Sequence, residues 1–347
     1  MLEKSGRGSW INTWLSVLAG LGLFLSFPPA GLSPLAFVAL VPLLLALNRA
    51  PRHAAFRLGT LAGMVFYPFN LSWATHALAV YGGFSLGLSL VLLLLLSFYL
   101  ALYLGIFAAS WVWLRPASGV GQVLLAGSLW VTLEFARTYL LTGFPWAFLA
   151  YTQYQNLPLI QMASVTGMYG VSFLLAIVNA AIAFAVRPGG ARPTLIPAVA
   201  TSLVLLMSLA YGARALSLPE PRAGLRVAVL QGNIDQTAKW DEAFREAILA
   251  TYERLTREAA QRGADLIVWP ETAIPFLLRW EPKGGARIAQ LAAETKRFLL
   301  VGSPQLEGDR YYNSAFLISR NSLEGLLATS ARARNPRSSD SLRRGSA

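Results

Sequence analysis

The first 213 positions are dominated by long apolar runs, and the pattern shortens abruptly after them. A helix needs about 20 mostly apolar residues to cross a bilayer. Runs near that length fall at 10–28, 31–48, 56–78, 84–113, 119–141, 158–186 and 194–213, separated by short polar or Pro/Gly breaks. The pattern therefore predicts a polytopic α-helical membrane bundle of about seven spans over 1–213. The runs at 84–113 and 158–186 exceed a minimal span, which predicts tilt or interfacial turns.

Beyond a linker at 214–224, short strands alternate with amphipathic helices. Residues 226–231 read as a strand, and 241–260 as a helix with Phe244, Ile248, Tyr252, Leu255 and Ala259 at helical spacing. The nearly continuous apolar run 265–269 has the form of a strand buried on both faces. A second helix near 286–297 presents Ile288, Leu291 and Ala292, and strands follow at 298–302 and 314–319. Residues 225–319 thus predict a partial α/β domain with an uncovered sheet edge. The Ser/Arg-rich stretch 320–347 has no sustained apolar period and reads as a disordered tail.

Composition agrees with the bundle. The chain has 347 residues, 55% hydrophobic and 13% charged, with mean hydropathy +0.50, too apolar for an ordinary soluble protein. Its net charge of +12 is spread over loops and the tail, not gathered into a patch interleaved with aromatics, so nucleic acid is not an expected partner. Cysteine is absent, which excludes disulfides, thiolate metal sites and a thiol nucleophile within these residues. No cofactor or metal is expected. The run ending at Phe27 is followed by Pro28-Pro29 and another apolar run, so it reads as an anchor and not a cleaved leader.

Loop charge sets the expected orientation. Lys4 and Arg7, then Arg49, Arg52 and Arg57, then Arg115, then Arg187 and Arg192 mark alternate loops, while loops around 29–30, 79–83 and 142–157 carry no lysine or arginine. The amino terminus is expected in the cytoplasm and the α/β domain on the opposite face.

Two places carry candidate chemistry. In Val268-Trp269-Pro270-Glu271-Thr272-Ala273-Ile274-Pro275 an apolar strand ends at a proline and delivers Glu271 to the carboxyl edge, where α/β folds keep working residues. Glu271 is a candidate general base, or alternatively a side chain that satisfies nearby amides. Glu134 is the single acidic residue between Glu3 and Glu220, three positions before Arg137. That spacing shares one helix face and predicts a buried ion pair that fixes packing, or a role in headgroup binding or gating. Trp146, Tyr151 and Tyr154 read as interfacial anchors, or as the lining of a lipid entrance.

Leu133-Glu134-Phe135, Thr142-Gly143-Phe144-Pro145-Trp146, Val229-Leu230-Gln231-Gly232-Asn233-Ile234, Lys239-Trp240-Asp241 and Trp269-Pro270-Glu271-Thr272-Ala273-Ile274-Pro275 stand in that order. Together they resemble the apolipoprotein N-acyltransferases over about 10–319. The resemblance implies a bacterial inner-membrane anchor joined to an extracytoplasmic nitrilase-like α-β-β-α domain. It also implies transfer of an acyl chain from a phospholipid donor to the amino-terminal diacylglyceryl-cysteine of a lipoprotein acceptor. The family's Glu-Lys-Cys triad assigns Glu271 as proton acceptor, places Trp240 near the active site and sets Gln231 and Asn233 beside it; Glu134 and Arg137 are further substrate-binding candidates. The pattern departs after Tyr311-Tyr312-Asn313-Ser314, where the lysine and cysteine segments expected by resemblance do not follow. Lys283 and Lys296 lie too early, and Ser303 lacks a nucleophile turn. The sequence accordingly reads as truncated or frame-shifted and inactive as written. The rival readings are a non-catalytic lipid- or lipoprotein-binding membrane protein and a membrane-tethered nitrilase-like amidase.

Overall fold

A computed structural model describes residues 3–187, 195–219, 224–235, 239–308, 310–319 and 326–327. The chain divides into two compact units, Met1–Pro219 and Glu220–Ala347.

The first unit is all-helical. Its elements are α1 (Glu3–Ser26), a 3-10 turn (Ser33–Phe37), α2 (Val41–Ala46), α3 (Arg52–Asn70), α4 (Trp73–His76), α5 (Leu86–Leu114), α6 (Gly119–Tyr139), α7 (Leu157–Ile160), α8 (Ala163–Val186) and α9 (Ile196–Ser217). Five helical stretches, in α1, α5, α6, α8 and α9, are long and apolar enough to cross a membrane. Their outward faces stay apolar: Leu94, Leu95 and Phe98 of α5 are exposed, as lipid-facing side chains must be. The helices meet through small residues. A Cβ on Gly59 of α3 would lie 2.2 Å from the Leu104 carbonyl oxygen of α5, and one on Gly63 2.6 Å from Ala101 Cα. Such close backbone approach is the usual means of packing helices in lipid, where apolar side chains gain little by leaving their surroundings.

The expected span at 31–48 takes another form. It is a 3-10 turn followed by the six-residue α2, with prolines at the start of each. Proline carries no N–H and cannot continue a helical ladder, so this segment leaves backbone groups that side chains must satisfy. Asn179 of α8 does so: its Nδ2 donates to the Ala36 carbonyl at 2.8 Å and its Oδ1 accepts from the Leu40 amide at 2.8 Å. Gln153 Nε2 donates to the Ser33 carbonyl at 2.9 Å. The run at 56–78 is likewise divided, because α3 stops at Asn70 and α4 begins at Trp73. Gly167, at φ +62°, breaks the run at 158–186.

The second unit holds one five-stranded sheet in the order β1 (Val227–Val229), β2 (Leu266–Val268), β3 (Phe298–Glu307), β4 (Arg310–Ile318), β5 (Leu326–Leu327). The first three strands are parallel and the remaining pairings antiparallel. Helices α10 (Arg245–Gln261) and α11 (Pro282–Thr295) make the two crossovers. Ile248, Leu249, Tyr252 and Ala259 of α10 and Ile288, Leu291 and Ala292 of α11 bury one stripe each against Ile267, Leu299 and Val301. Ion pairs from Arg287 to Glu253 and Glu246 tie the two helices across their solvent side.

Two expectations change here. The run at 265–269 is not buried on both faces: Ile267 is fully buried, whereas Leu266 and Val268 are half-buried. Among the described residues helices cover only one side of the parallel strands, and Val227 and Val229 stand 50% and 76% exposed on the other. The reading of 320–347 as disordered falls outside the described residues, except that Leu326 and Leu327 form β5 against Phe316 and Ala315.

Replacing Asn179 by Leu strands the Leu40 amide and the Ala36 carbonyl in an apolar interior, at about 1–3 kcal/mol for each unsatisfied group. We expect the variant to melt clearly below the parent in detergent. Coincident melting curves would show that the 33–46 segment draws no support from α8.

Candidate functional site

The parallel strands β1, β2 and β3 all deliver their carboxyl ends to one edge of the sheet, and the chain past β2 is fixed there by three devices. Trp269 is buried, stacked on Tyr252 with ring centroids 4.9 Å apart, and its indole N–H donates to Thr256 Oγ1 at 2.9 Å. The backbone then crosses β3: the Trp269 amide donates to the Leu300 carbonyl at 2.8 Å and the Ile274 amide to the Gly302 carbonyl at 3.1 Å. Only glycine fits beneath that crossing. A Cβ on residue 302 would lie 2.4 Å from the Pro270 carbonyl oxygen, 2.7 Å from the Thr272 nitrogen and 2.9 Å from Glu271 Cα. Thr272 takes φ +47° at the apex, a region costly for a β-branched residue.

Glu271 emerges from this turn with an exposed side chain. One carboxylate oxygen, Oε1, accepts a hydrogen bond from Asn313 Nδ2 on β4. Lys239 closes the turn from the far side, donating from Nζ to Thr272 Oγ1 at 2.8 Å and to the Glu271 carbonyl oxygen at 3.2 Å. Burial pushes the Lys239 ammonium below the ordinary lysine range, and the nearby Glu271 charge opposes that shift. Its ammonium lies 6.0 Å from the centroid of the Trp240 ring, which is 47% exposed.

Of the residues expected from sequence, Glu271 and Trp240 are therefore linked through Lys239. Gln231 and Asn233 follow β1 at the same sheet edge, and Asn233 adopts φ +50°, a conformation asparagine tolerates well. Among the described residues no hydrogen bond joins either side chain to the Glu271 turn. Ser303 is buried and donates to the Phe276 carbonyl at 2.8 Å, a structural tie that holds the chain after the turn. Lys239 and Asn313 were not singled out from sequence. Lys239 sits in the Lys239-Trp240-Asp241 motif, but its contact spans 32 residues, and Asn313 reaches Glu271 across 42.

The second candidate group lies within the helical unit. Glu134 and Arg137 are both buried, yet among the described residues they form no direct ion pair. Glu134 Oε1 accepts from Trp130 Nε1 at 2.9 Å and from the Leu149 amide at 2.8 Å. Arg137 donates to Tyr67 Oη at 2.7 Å and to the Ala147 carbonyl at 3.3 Å, with its guanidinium 4.7 Å from the centroid of the Phe148 ring. The shared helix face is real. The side chains diverge because both are drawn to backbone groups of the 147–149 segment. A cavity of about 20 Å³ lined by Tyr67, Tyr103, Trp130, Glu134 and Arg137 adjoins them. Trp146 stands exposed beside Trp73, ring centroids 5.1 Å apart, and Tyr151 and Tyr154 are exposed as well.

The fold is thus a helical unit with five stretches long and apolar enough to cross a membrane, followed by an α/β unit with a glutamate at its strand edge. Residues 19–181 match the family model for the apolipoprotein N-acyltransferase N-terminal domain, and 226–334 match carbon-nitrogen hydrolase. Among curated proteins, the apolipoprotein N-acyltransferase of Geobacter metallireducens is 46% identical over 314 residues, covering 88% of this chain and 60% of that protein. Those of Azotobacter vinelandii and Pseudomonas putida are each 35% identical, over 328 and 324 residues, covering 91% and 88% of this chain and 62% and 61% of the relatives. The chain is similar to the apolipoprotein N-acyltransferases over most of its own length, and it spans about three-fifths of the length of these relatives.

Two measurements check this site. With lysines ¹³C-methylated, Lys239 is expected to titrate below the ordinary lysine range, and Glu271→Gln to lower it further by removing the charge that favours the ammonium. Titration of Lys239 within the ordinary lysine range would refute the burial. Gly302→Ala is expected to cost about 1–3 kcal/mol through overpacking and to speed amide exchange across 270–274; unchanged exchange there would mean that the turn does not rest on residue 302.

Proposed function

We propose that this chain provides the membrane anchor and the base-bearing half of the site of a lipoprotein N-acyltransferase. The reaction class is transfer of an acyl chain from a phospholipid to the amino-terminal amine of a diacylglyceryl-cysteine lipoprotein in the bacterial inner membrane. The observation that carries this reading is Glu271, held at the carboxyl edge of the parallel strands on a turn braced by Lys239, Asn313 and Gly302. Naming of the relatives as apolipoprotein N-acyltransferases supports the substrate class.

In this reading Glu271 accepts the proton of the attacking group. Trp240, exposed beside Lys239, offers an aromatic face to the acyl chain or the lipoprotein, and Gln231 and Asn233 supply polar contacts at the same edge. Glu134 and Arg137 support the substrate path indirectly by fixing the 147–149 segment behind the exposed Trp146. The lysine- and arginine-bearing loops face the cytoplasm and the α/β unit the opposite side. The 347 residues include no cysteine, so they supply no thiolate to carry an acyl group. That absence favours binding of lipid and lipoprotein without turnover by this chain alone.

The test is to offer the full chain in detergent a phospholipid and a synthetic diacylglyceryl-cysteinyl peptide. The peptide is expected to bind and to remain unacylated by mass spectrometry, and Trp240→Ala to weaken binding about tenfold, or about 1.4 kcal/mol. An N-acylated peptide would overturn the absence of turnover. Undetectable binding would overturn the assignment of this face.

A further inference from the structure

At the end of the helical unit remote from Glu134, four segment ends converge: the chain after α2, the end of α5, the start of α6 and the end of α8. They enclose a cleft of about 20 Å³ whose lining includes Asn48, Trp111, Arg115, Gln122, Phe184 and Arg187. Arg115 Nη1 donates to the Asn48 carbonyl at 3.0 Å. Gln122, buried, donates through Nε2 to the Pro116 carbonyl at 2.9 Å and accepts at Oε1 from Arg187 Nη1 at 3.4 Å. The Arg187 guanidinium lies 4.2 Å from the centroid of the Phe184 ring. These contacts aim two guanidinium groups into one cleft and leave most of their N–H donors without a protein acceptor among the described residues.

Their charge is also unanswered. Glu134 is the single acidic residue between Glu3 and Glu220, and it lies about 18 Å along α6 from Gln122 at 1.5 Å per residue. Among the described residues neither Arg115 nor Arg187 forms an ion pair. Two half-buried guanidinium groups, 72 residues apart in sequence but in one cleft, thus have no carboxylate partner among the described residues. Guanidinium forks match the oxygens of phosphate, and basic pockets between helices near a membrane surface suit lipid headgroups.

We propose that the Arg115–Arg187 cleft is a binding site for a phosphate anion, with Gln122 orienting Arg187 toward it. The cleft admits a phosphate oxygen and leaves a glycerol or acyl moiety outside. The phosphate of an anionic phospholipid and free inorganic phosphate are its two sources. The site is separate from the Glu271 edge and does not depend on the acyltransfer reading.

The test uses the full chain in detergent, titrated with dioctanoyl phosphatidylglycerol, dioctanoyl phosphatidylcholine or inorganic phosphate while its melting temperature is followed. Saturable stabilisation by phosphatidylglycerol at concentrations at least tenfold below those needed for phosphatidylcholine is expected. The double variant R115Q/R187Q should bind at least tenfold more weakly, whereas R57Q should bind like the parent. If the double variant does not fold, R187Q alone carries the comparison, since it keeps the Arg115 bond to Asn48. Saturable stabilisation by inorganic phosphate, lost in R187Q, would support the site and identify the free anion as its source. Undiminished binding in R187Q, or no saturable response to any of the three ligands, would overturn the proposal.

Discussion

In hydrocarbon a backbone N–H or C=O must find its partner within the protein, and that constraint decides which irregular segments the helical unit tolerates. Two of its irregular segments show this. The 33–46 segment departs from α-helix at its prolines and is completed by Asn179 and Gln153. The 141–149 segment carries positive φ at Leu141, Thr142 and Ala147 and is completed by Glu134, which receives the Leu149 amide, and Arg137, which donates to the Ala147 carbonyl. Buried polar side chains are thus placed opposite the two breaks, where a regular helix would have had no use for them. Their cost in an apolar interior is offset because each satisfies a group that would otherwise be orphaned.

The α/β unit solves a related problem at its sheet edge. A carboxylate proposed as a general base must be held firmly yet keep an oxygen free, and firmness has to come from something other than the carboxylate itself. Here it comes from the backbone. Trp269 is locked by Tyr252 and Thr256 before the turn, Ser303 ties the chain down after it, and Gly302 lets Glu271 pass within a distance no other residue permits. The strained Thr272 is retained because these anchors over-determine it.

Periodicity carried the architecture further than it carried the spans. Length and apolarity locate α5, α6 and α9 to within a few residues, since nothing interrupts their ladders. Hydropathy alone does not see that Pro34 and Pro42 divide an equally apolar run, because the compensating Asn179 lies over a hundred positions away. The same limit explains the Glu134–Arg137 reading. Spacing puts both on one face of α6, but which partner each side chain takes depends on where the 147–149 segment folds back. Glu271 was legible because proline after an apolar strand marks a strand end locally. Lys239 and Asn313 were not, since only the closed loop and the β3–β4 hairpin bring them to the turn. Burial of β2 on both faces was inferred from its composition, which does not reveal whether a second layer is present to cover Val268.

Where Lys239 points bears on what Glu271 can do. A lysine bonded to the carboxylate itself would hold it ionised and make it a poor proton acceptor. Instead the ammonium bonds to the Glu271 carbonyl and the Thr272 hydroxyl, so its positive charge braces the turn without occupying the carboxylate. Asn313, a neutral donor, engages Oε1 and fixes the plane of the group. The turn therefore separates two demands that a salt bridge would merge: the lysine secures position and the amide secures orientation, and among the described residues no hydrogen bond engages the second carboxylate oxygen.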